Sequence, residues 1–199
     1  MKSKKTFLVM IFAFVLFLAG ASALYNQIGK NLSGDRLEVL EQWTQSDSSG
    51  AQNSSTDAER VKAPDFIIYD EKGQEVRLSD YIGNPIILNF WASWCGPCQM
   101  EMPDFQEKYL ELGQEVHFLM INMTDGSRET VDSARKFISE QKYTFPVFFD
   151  TAYHATIAYE AYALPMTFFI DGEGYAVAQA TGAIDGETLQ RGIDMILGK

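Results

Sequence analysis

The only two cysteines of the 199-residue chain, Cys95 and Cys98, are separated by two residues. An apolar run over residues 86–91 precedes them and a stretch of helical character follows, which predicts a strand-to-helix junction. The free N–H groups and the dipole of a helix N-terminus favour the thiolate form of the first cysteine. The short spacing lets the second thiol attack the first sulfur, so a mixed disulfide is resolved within the protein. The pair is therefore predicted to be a redox-active dithiol.

Other uses of the cysteines fit less well. A structural zinc site usually needs four ligands, and the two histidines, His117 and His154, show no ligand spacing. A purely structural disulfide would close a very small loop and constrain the unfolded chain little. We expect no metal and no cofactor. Cys95 is predicted to be the exposed nucleophile and Cys98 the more buried resolving thiol.

The elements that must position this pair alternate along the chain. Strands are predicted over residues 64–70, 75–78, 85–91, 116–123, 145–149, 166–170 and 176–180, and helices over residues 101–112, 127–141, 151–159 and 184–197. This order predicts an α/β fold with a central mixed β-sheet flanked by helices on both faces. The cysteines then follow the carboxyl end of a central strand, where open α/β sheets place their sites.

The N-terminal third has a different character. Residues 1–5 form a basic stub, and the uncharged segment 6–28 is long enough for a transmembrane signal anchor, with the following domain outside the cytoplasm. The alternative is a signal peptide cleaved after Ala23, which would release the protein. Residues 29–62 are predicted to be a flexible extracytoplasmic linker, with a short helix over residues 35–43.

Residues 63–199 are predicted to form one domain of ordinary size. This segment carries 9 Lys and Arg against 21 Asp and Glu, a net charge of −12, while the whole chain has −11. The acidity therefore belongs to the folded part, and it disfavours nucleic acid as a partner.

Residues 90–98, FWASWCGPC, resemble the active-site segment of the thioredoxin superfamily. The extension QMEMP over residues 99–103 and the segment ALPMTFFID over residues 163–171 are similar to the extracytoplasmic thiol–disulfide oxidoreductases of the ResA/TlpA type, which have an AhpC/TSA-like redoxin domain. The resemblance implies a thioredoxin-like fold in which residues 116–150 are the extra strand–helix insertion of the TlpA-like group. A peroxidatic role is disfavoured, because the chain has no Thr-x-x-Cys signature.

The resemblance also implies roles for residues around the cysteines. Gly96 and Pro97 match the spacer of thioredoxin, which implies that the protein is a fairly strong reductant. The alternative is that Gly-Pro simply starts a helix, and both can hold. Asn89 stands where thioredoxins have a buried aspartate that helps transfer protons. Glu101, three residues after Cys98, would take over that task; the alternative is a first-turn carboxylate stabilised by the helix dipole.

Three further residues are expected to bind substrate. By the same resemblance, Pro165 would be a cis-proline beside the disulfide, and Leu164 would offer its backbone N–H and C=O to an extended substrate segment. A proline that starts a strand is the alternative for Pro165. Trp94 is expected to line the surface beside Cys95.

Together these features predict a membrane-tethered, extracytoplasmic thiol–disulfide oxidoreductase that reduces disulfides of partner proteins. The family implies recharging by a transmembrane electron donor of the CcdA/DsbD type, and client proteins in cytochrome c maturation or methionine sulfoxide reductase support. Two alternatives are an oxidant that installs disulfides, in the DsbA-like direction, and a non-enzymatic thiol metallochaperone or adaptor.

Overall fold

A nine-stranded mixed sheet is the centre of the part of the chain that the computed structural model describes, residues 37–39 and 60–199. The strands are β1 (Leu37–Val39), β2 (Val61–Lys62), β3 (Ile67–Tyr69), β4 (Glu75–Arg77), β5 (Ile86–Trp91), β6 (His117–Asn122), β7 (Val147–Phe149), β8 (Met166–Ile170) and β9 (Tyr175–Thr181). Their order is β1-β9-β8-β5-β6-β7-β3-β4, and β2 also pairs with β9. The β5–β6 and β6–β7 pairs are parallel and the other pairs are antiparallel.

Helices cover both faces of this sheet, as the sequence predicted. They are α1 (Gly96–Leu112), α2 (Val131–Gln141), α3 (His154–Ala158) and α4 (Gly186–Leu197), with a 3₁₀ turn at Leu78–Tyr81. Side chains of α1, α2 and α4 pack in one hydrophobic cluster, and those of α3 pack in a second cluster on the opposite face. The fold is therefore the predicted α/β class, with a strand–helix–strand segment from β6 to β7 inserted between α1 and α3.

Strand β5 is buried along its whole length, because it lies between β8 and β6 and has helices on both faces. Its apolar run lacks the polar alternation of a half-exposed strand for that reason. Successive side chains point to opposite faces, so Ile86, Leu88 and Phe90 join the cluster with α3, while Ile87 and Trp91 join the cluster with α1. The strand ends four residues before Cys95.

Two pieces of the segment predicted as a flexible linker, residues 29–62, are strands instead. β1 pairs with β9 in the register Leu37 to Ala180, and the prediction of a short helix over residues 35–43 is wrong at these positions. Leu37 is buried against the sheet. Pairing with β9 gives this short segment backbone hydrogen bonds and also places Leu37 in the hydrophobic cluster, whereas a short isolated helix is marginal in water.

The predicted basic stub, the anchor or signal peptide over residues 6–28 and most of the linker lie outside the described residues. Within residues 37–39 and 60–199, none of the helices combines the length and the hydrophobicity that a membrane crossing requires.

Two helix boundaries differ from the predicted ones by four or five residues. Helix α1 begins at Gly96, five residues earlier than the periodicity suggested, because Cys95 caps it and Pro97 is tolerated in its first turn. Helix α2 begins at Val131, four residues later than predicted. Thr130 caps α2 by accepting a hydrogen bond from the Ser133 N–H, and this cap leaves residues 124–130 as a loop.

Candidate active site

Cys95 and Cys98 form a disulfide at the N-terminus of α1, with 5.3 Å between their Cα atoms. Cys95 is the N-cap residue, and its Sγ accepts a hydrogen bond from the Cys98 N–H at 3.2 Å. The same N–H and the helix dipole would stabilise a thiolate on Cys95 after reduction. The arrangement therefore favours Cys95 as the attacking thiol.

The disulfide is more deeply placed than the sequence suggested. Cys95 is only 4% exposed, so the prediction of an exposed nucleophile is wrong for this oxidised state, and Cys98 is completely buried. Gly96 and Pro97 are exposed, and Trp94 is 41% exposed. Neighbouring side chains thus cover most of the disulfide and leave access to the Cys95 side alone.

That access is a surface groove of about 350 Å³. Its apolar and aromatic lining includes Trp94, Cys95, Met123, Tyr153, Tyr162 and Leu164. Asp125 and Arg128 add one charge of each sign. The backbone N–H groups of Glu129 and Ser127 donate to Asp125 and lower the pKa of its carboxyl group. Partial burial, followed by the charges of Asp125 and Asp150, raises the pKa of the Tyr153 hydroxyl. The groove can therefore accept an apolar segment that carries a polar group.

The peptide bond between Leu164 and Pro165 is cis, as the resemblance implied. Pro165 is buried, and its C=O accepts a hydrogen bond from the Gly182 N–H at 2.8 Å. Within the described part of the chain, Leu164 makes no hydrogen bond through its backbone N–H or C=O, and it lines the groove. Both groups are thus available to an extended peptide, although the predicted substrate-binding roles of Trp94, Leu164 and Pro165 stay predictions.

A buried polar cluster lies behind the cysteines, on the first turns of α1 and the neighbouring strands. Glu101 is 1% exposed; its Oε1 accepts from Asn89 Nδ2 at 2.7 Å, and its Oε2 accepts from the Ile184 N–H at 3.0 Å. Asn89 also donates to Thr167 Oγ1 at 3.1 Å. Glu101 is the sixth residue of α1 and lies beyond its first turn, so the alternative of a first-turn carboxylate stabilised by the helix dipole is wrong. Its role in proton transfer stays a prediction.

Sequence reasoning missed the groove residues Met123, Asp125, Arg128, Tyr153 and Tyr162. It also missed Glu129, which it assigned to a helix. This fully buried carboxylate contacts Ser93, two residues before Cys95. The topology gives a signal that points to it: Glu129 follows β6, and the carboxyl ends of the parallel strands β5 and β6 meet at one edge of the sheet.

A protein family and several known proteins are similar to this chain. The AhpC/TSA family model matches residues 60–178. The thiol-disulfide oxidoreductase ResA of Geobacillus kaustophilus is 38% identical over 135 residues, which cover 67% of this chain and 75% of that protein.

Solved structures of similar fold include StoA from Bacillus subtilis, with 26% identity and a TM-score of 0.57, covering 66% of this chain and 97% of StoA. The exposed lipoprotein thioredoxin Etrx1 from Streptococcus pneumoniae is 28% identical with a TM-score of 0.59, covering 66% of this chain and 99% of Etrx1. These similarities confirm the predicted thioredoxin-like fold and the ResA/TlpA-type resemblance.

Proposed function

The chain belongs to the AhpC/TSA family and is a thiol–disulfide oxidoreductase, and we propose that it works as a reductant of disulfides in client proteins outside the cytoplasm. The observation that carries the direction is the Gly96-Pro97 spacer at the exposed start of α1. Neither residue carries a charge, so the spacer adds no electrostatic stabilisation to the Cys95 thiolate. Because the spacer adds nothing to the stabilisation that the helix N-terminus gives the thiolate, the pair should give up its electrons more readily than a pair whose spacer stabilises the thiolate further.

In the proposed reaction, the Cys95 thiolate attacks one sulfur of a client disulfide. The client S–S bond breaks, a mixed disulfide forms at Cys95, and the other client sulfur leaves as a thiolate. The Cys98 thiolate then attacks Cys95 Sγ and releases the second client sulfur as a thiolate. The client gains two electrons, and the protein ends in the disulfide state that the structure describes.

We further propose that the groove beside Cys95 binds the client segment that carries the disulfide. The backbone groups of Leu164 would pair with an extended client strand, and the aromatic side chains would cover its neighbouring residues. The groove gives orientation rather than a narrow specificity, because most of its lining is apolar.

Regeneration of the dithiol requires two electrons from another protein, and we propose a transmembrane donor of the CcdA/DsbD type as their source. The segment 6–28 would hold the protein in the membrane with its domain outside the cytoplasm. A membrane-impermeant maleimide tests this placement in intact cells from which any outer layer has been removed. We expect Cys95 of the membrane-bound protein to be labelled after reduction; labelling only after lysis would contradict the proposed location.

The direction of electron transfer is tested by running the reaction both ways with the full chain. We expect the reduced protein to reduce an unfolded, disulfide-bonded protein nearly to completion, because the equilibrium lies toward oxidised Cys95–Cys98. The oxidised protein should oxidise the same protein in its thiol form only slightly. The opposite pair of results would identify an oxidant that installs disulfides.

A further inference from the structure

The loop between β6 and α2, residues 124–130, contacts the two residues that precede Cys95. The guanidinium of Arg128 lies over the ring of Trp94, 3.5 Å from the ring centre. The carboxylate of Glu129, the next residue, bonds to Ser93. Two consecutive loop residues therefore hold two consecutive residues of the active-site segment.

Glu129 has no exposed surface, and both of its carboxylate oxygens accept hydrogen bonds. Oε2 accepts from the Ser93 N–H at 3.2 Å and from Ser93 Oγ at 2.7 Å, while Oε1 accepts from Asn122 Nδ2 at 2.9 Å. Hydrogen bonds to an ionised carboxylate are roughly twice as strong as neutral ones. A buried carboxylate is costly without such partners. We infer that Ser93 and Asn122 are held here by a charged acceptor.

The residues around Glu129 fix the orientation of its side chain. Thr124 Oγ1 donates to Asn122 Oδ1 at 2.8 Å, which turns the amide nitrogen of Asn122 toward Glu129. Asp125 Oδ1 accepts from the backbone N–H groups of Ser127 at 2.6 Å and of Glu129 at 2.9 Å, closing the loop on itself. The acceptor is thus held in place before any substrate arrives.

Ser93 in turn has all of its polar groups engaged. Its N–H and hydroxyl donate to Glu129, and its C=O accepts from Gln99 Nε2 of α1 at 2.6 Å. Two residues later, the Cys95 N–H donates to the Ala92 C=O at 3.1 Å, which closes a tight turn. The position of Cys95 over the helix N-terminus therefore depends on a turn whose second residue is tied to Glu129.

We propose that Glu129 is a positioning residue for the thiol–disulfide exchange: by holding Ser93, it keeps Cys95 Sγ over the N-terminus of α1. There the Cys98 N–H and the helix dipole stabilise the Cys95 thiolate. The proposal concerns the reactivity of Cys95 alone, so it holds for either direction of electron transfer and for any client.

The test follows alkylation of Cys95 by iodoacetamide against pH in the full chain, with Cys98→Ala as the common background so that one thiol reacts. In Glu129→Ala we expect the midpoint of the profile to move upward, with alkylation at neutral pH about tenfold slower. The cause is loss of the contact between Cys95 Sγ and the helix N-terminus. The midpoint for Glu129→Gln should lie between those of the Cys98→Ala background and Glu129→Ala, because glutamine keeps one acceptor oxygen for three donors.

The sign of the shift separates positioning from charge. Removal of a nearby negative charge, by itself, favours the thiolate and moves the midpoint downward. A downward shift in both Glu129→Ala and Glu129→Gln would therefore overturn the proposal. An unchanged midpoint with a lower melting temperature would also overturn it, since Glu129 would then serve stability alone.

Two further variants complete the comparison. Ser93→Ala removes only the hydroxyl bond at 2.7 Å and avoids the risk that a buried substitution prevents folding; we expect a smaller upward shift. Glu140→Ala removes an equal charge from an exposed site in α2, where Glu140 pairs with Lys136 at 3.8 Å. The profile of this matched control should coincide with that of the parent.

Discussion

Replacement of Cys98 by alanine is expected to lower turnover of a disulfide-bonded client by about 10³-fold or more, because the intramolecular attack that releases the client is lost. The first step survives, since Cys95 keeps its place at the start of α1 and its access to the groove. Client protein should therefore accumulate on Cys95 as a mixed disulfide, which non-reducing gels and mass spectrometry detect.

Cys95→Ala is the matched control for this experiment. Cys98 is completely buried and does not line the groove, so this variant should lose turnover without holding any client. Trapping by Cys95→Ala but not by Cys98→Ala would reverse the assigned roles. Metal binding by the parent dithiol, with no trapping in either variant, would favour the metallochaperone alternative.

Glu101→Gln is expected to slow the second step selectively. Glu101 lies one helical turn beyond Cys98, inside the protein, and a proton on Cys98 has to leave before this thiol can attack Cys95. Loss of a positioned acid–base group typically costs 10²–10⁴-fold, so we expect release of the mixed disulfide to slow by about 10²-fold near neutral pH. The slowing should diminish at alkaline pH, where hydroxide removes the proton. Alkylation of Cys95 should change little.

Stopped-flow measurement of client release across pH checks this prediction. Glu107→Gln is the control, because Glu107 is an exposed carboxylate of the same helix. Glu101→Ala carries a second expected effect: Asn89 Nδ2 loses one of its two acceptors and the Ile184 N–H loses the Glu101 carboxylate, at a cost of about 1–3 kcal/mol for each buried donor left without a partner. Equal pH profiles for the parent and Glu101→Gln would rule out proton transfer and leave Glu101 a structural role.

The parts of the fold that local sequence determines were predicted well. The apolar run of β5 and the alternation of strands and helices follow from periodicity within short windows. β1 was not predicted, because residues 37–39 become a strand only through pairing with β9, about 140 positions further along the chain. Such a pairing leaves no periodic pattern in three residues.

In the site, too, the features set by local sequence were predicted and those set by distant contacts were missed. The spacing of Cys95 and Cys98 and the resemblance of the surrounding segments point to their chemistry directly. The burial of Cys95 was missed, because Cys95 belongs to a hydrophobic cluster whose members come from several strands and helices that only the fold brings together. Glu129 was missed for a related reason: its partner Ser93 lies 36 residues away, and Glu129 itself fell within the helix predicted over residues 127–141.

The reduction potential of the Cys95–Cys98 pair tests the central claim most directly. The full chain is the right material, because a fragment starting at residue 63 would lack β1 and β2, which pair with β9. The protein is equilibrated in dithiothreitol or glutathione buffers of graded composition, and the reduced fraction is read by thiol alkylation. A reductant is predicted to show a two-electron transition at about −270 mV, the reduction potential of thioredoxin, or below. A transition at about −120 mV, the reduction potential of the oxidant DsbA, would contradict the proposed direction of electron transfer.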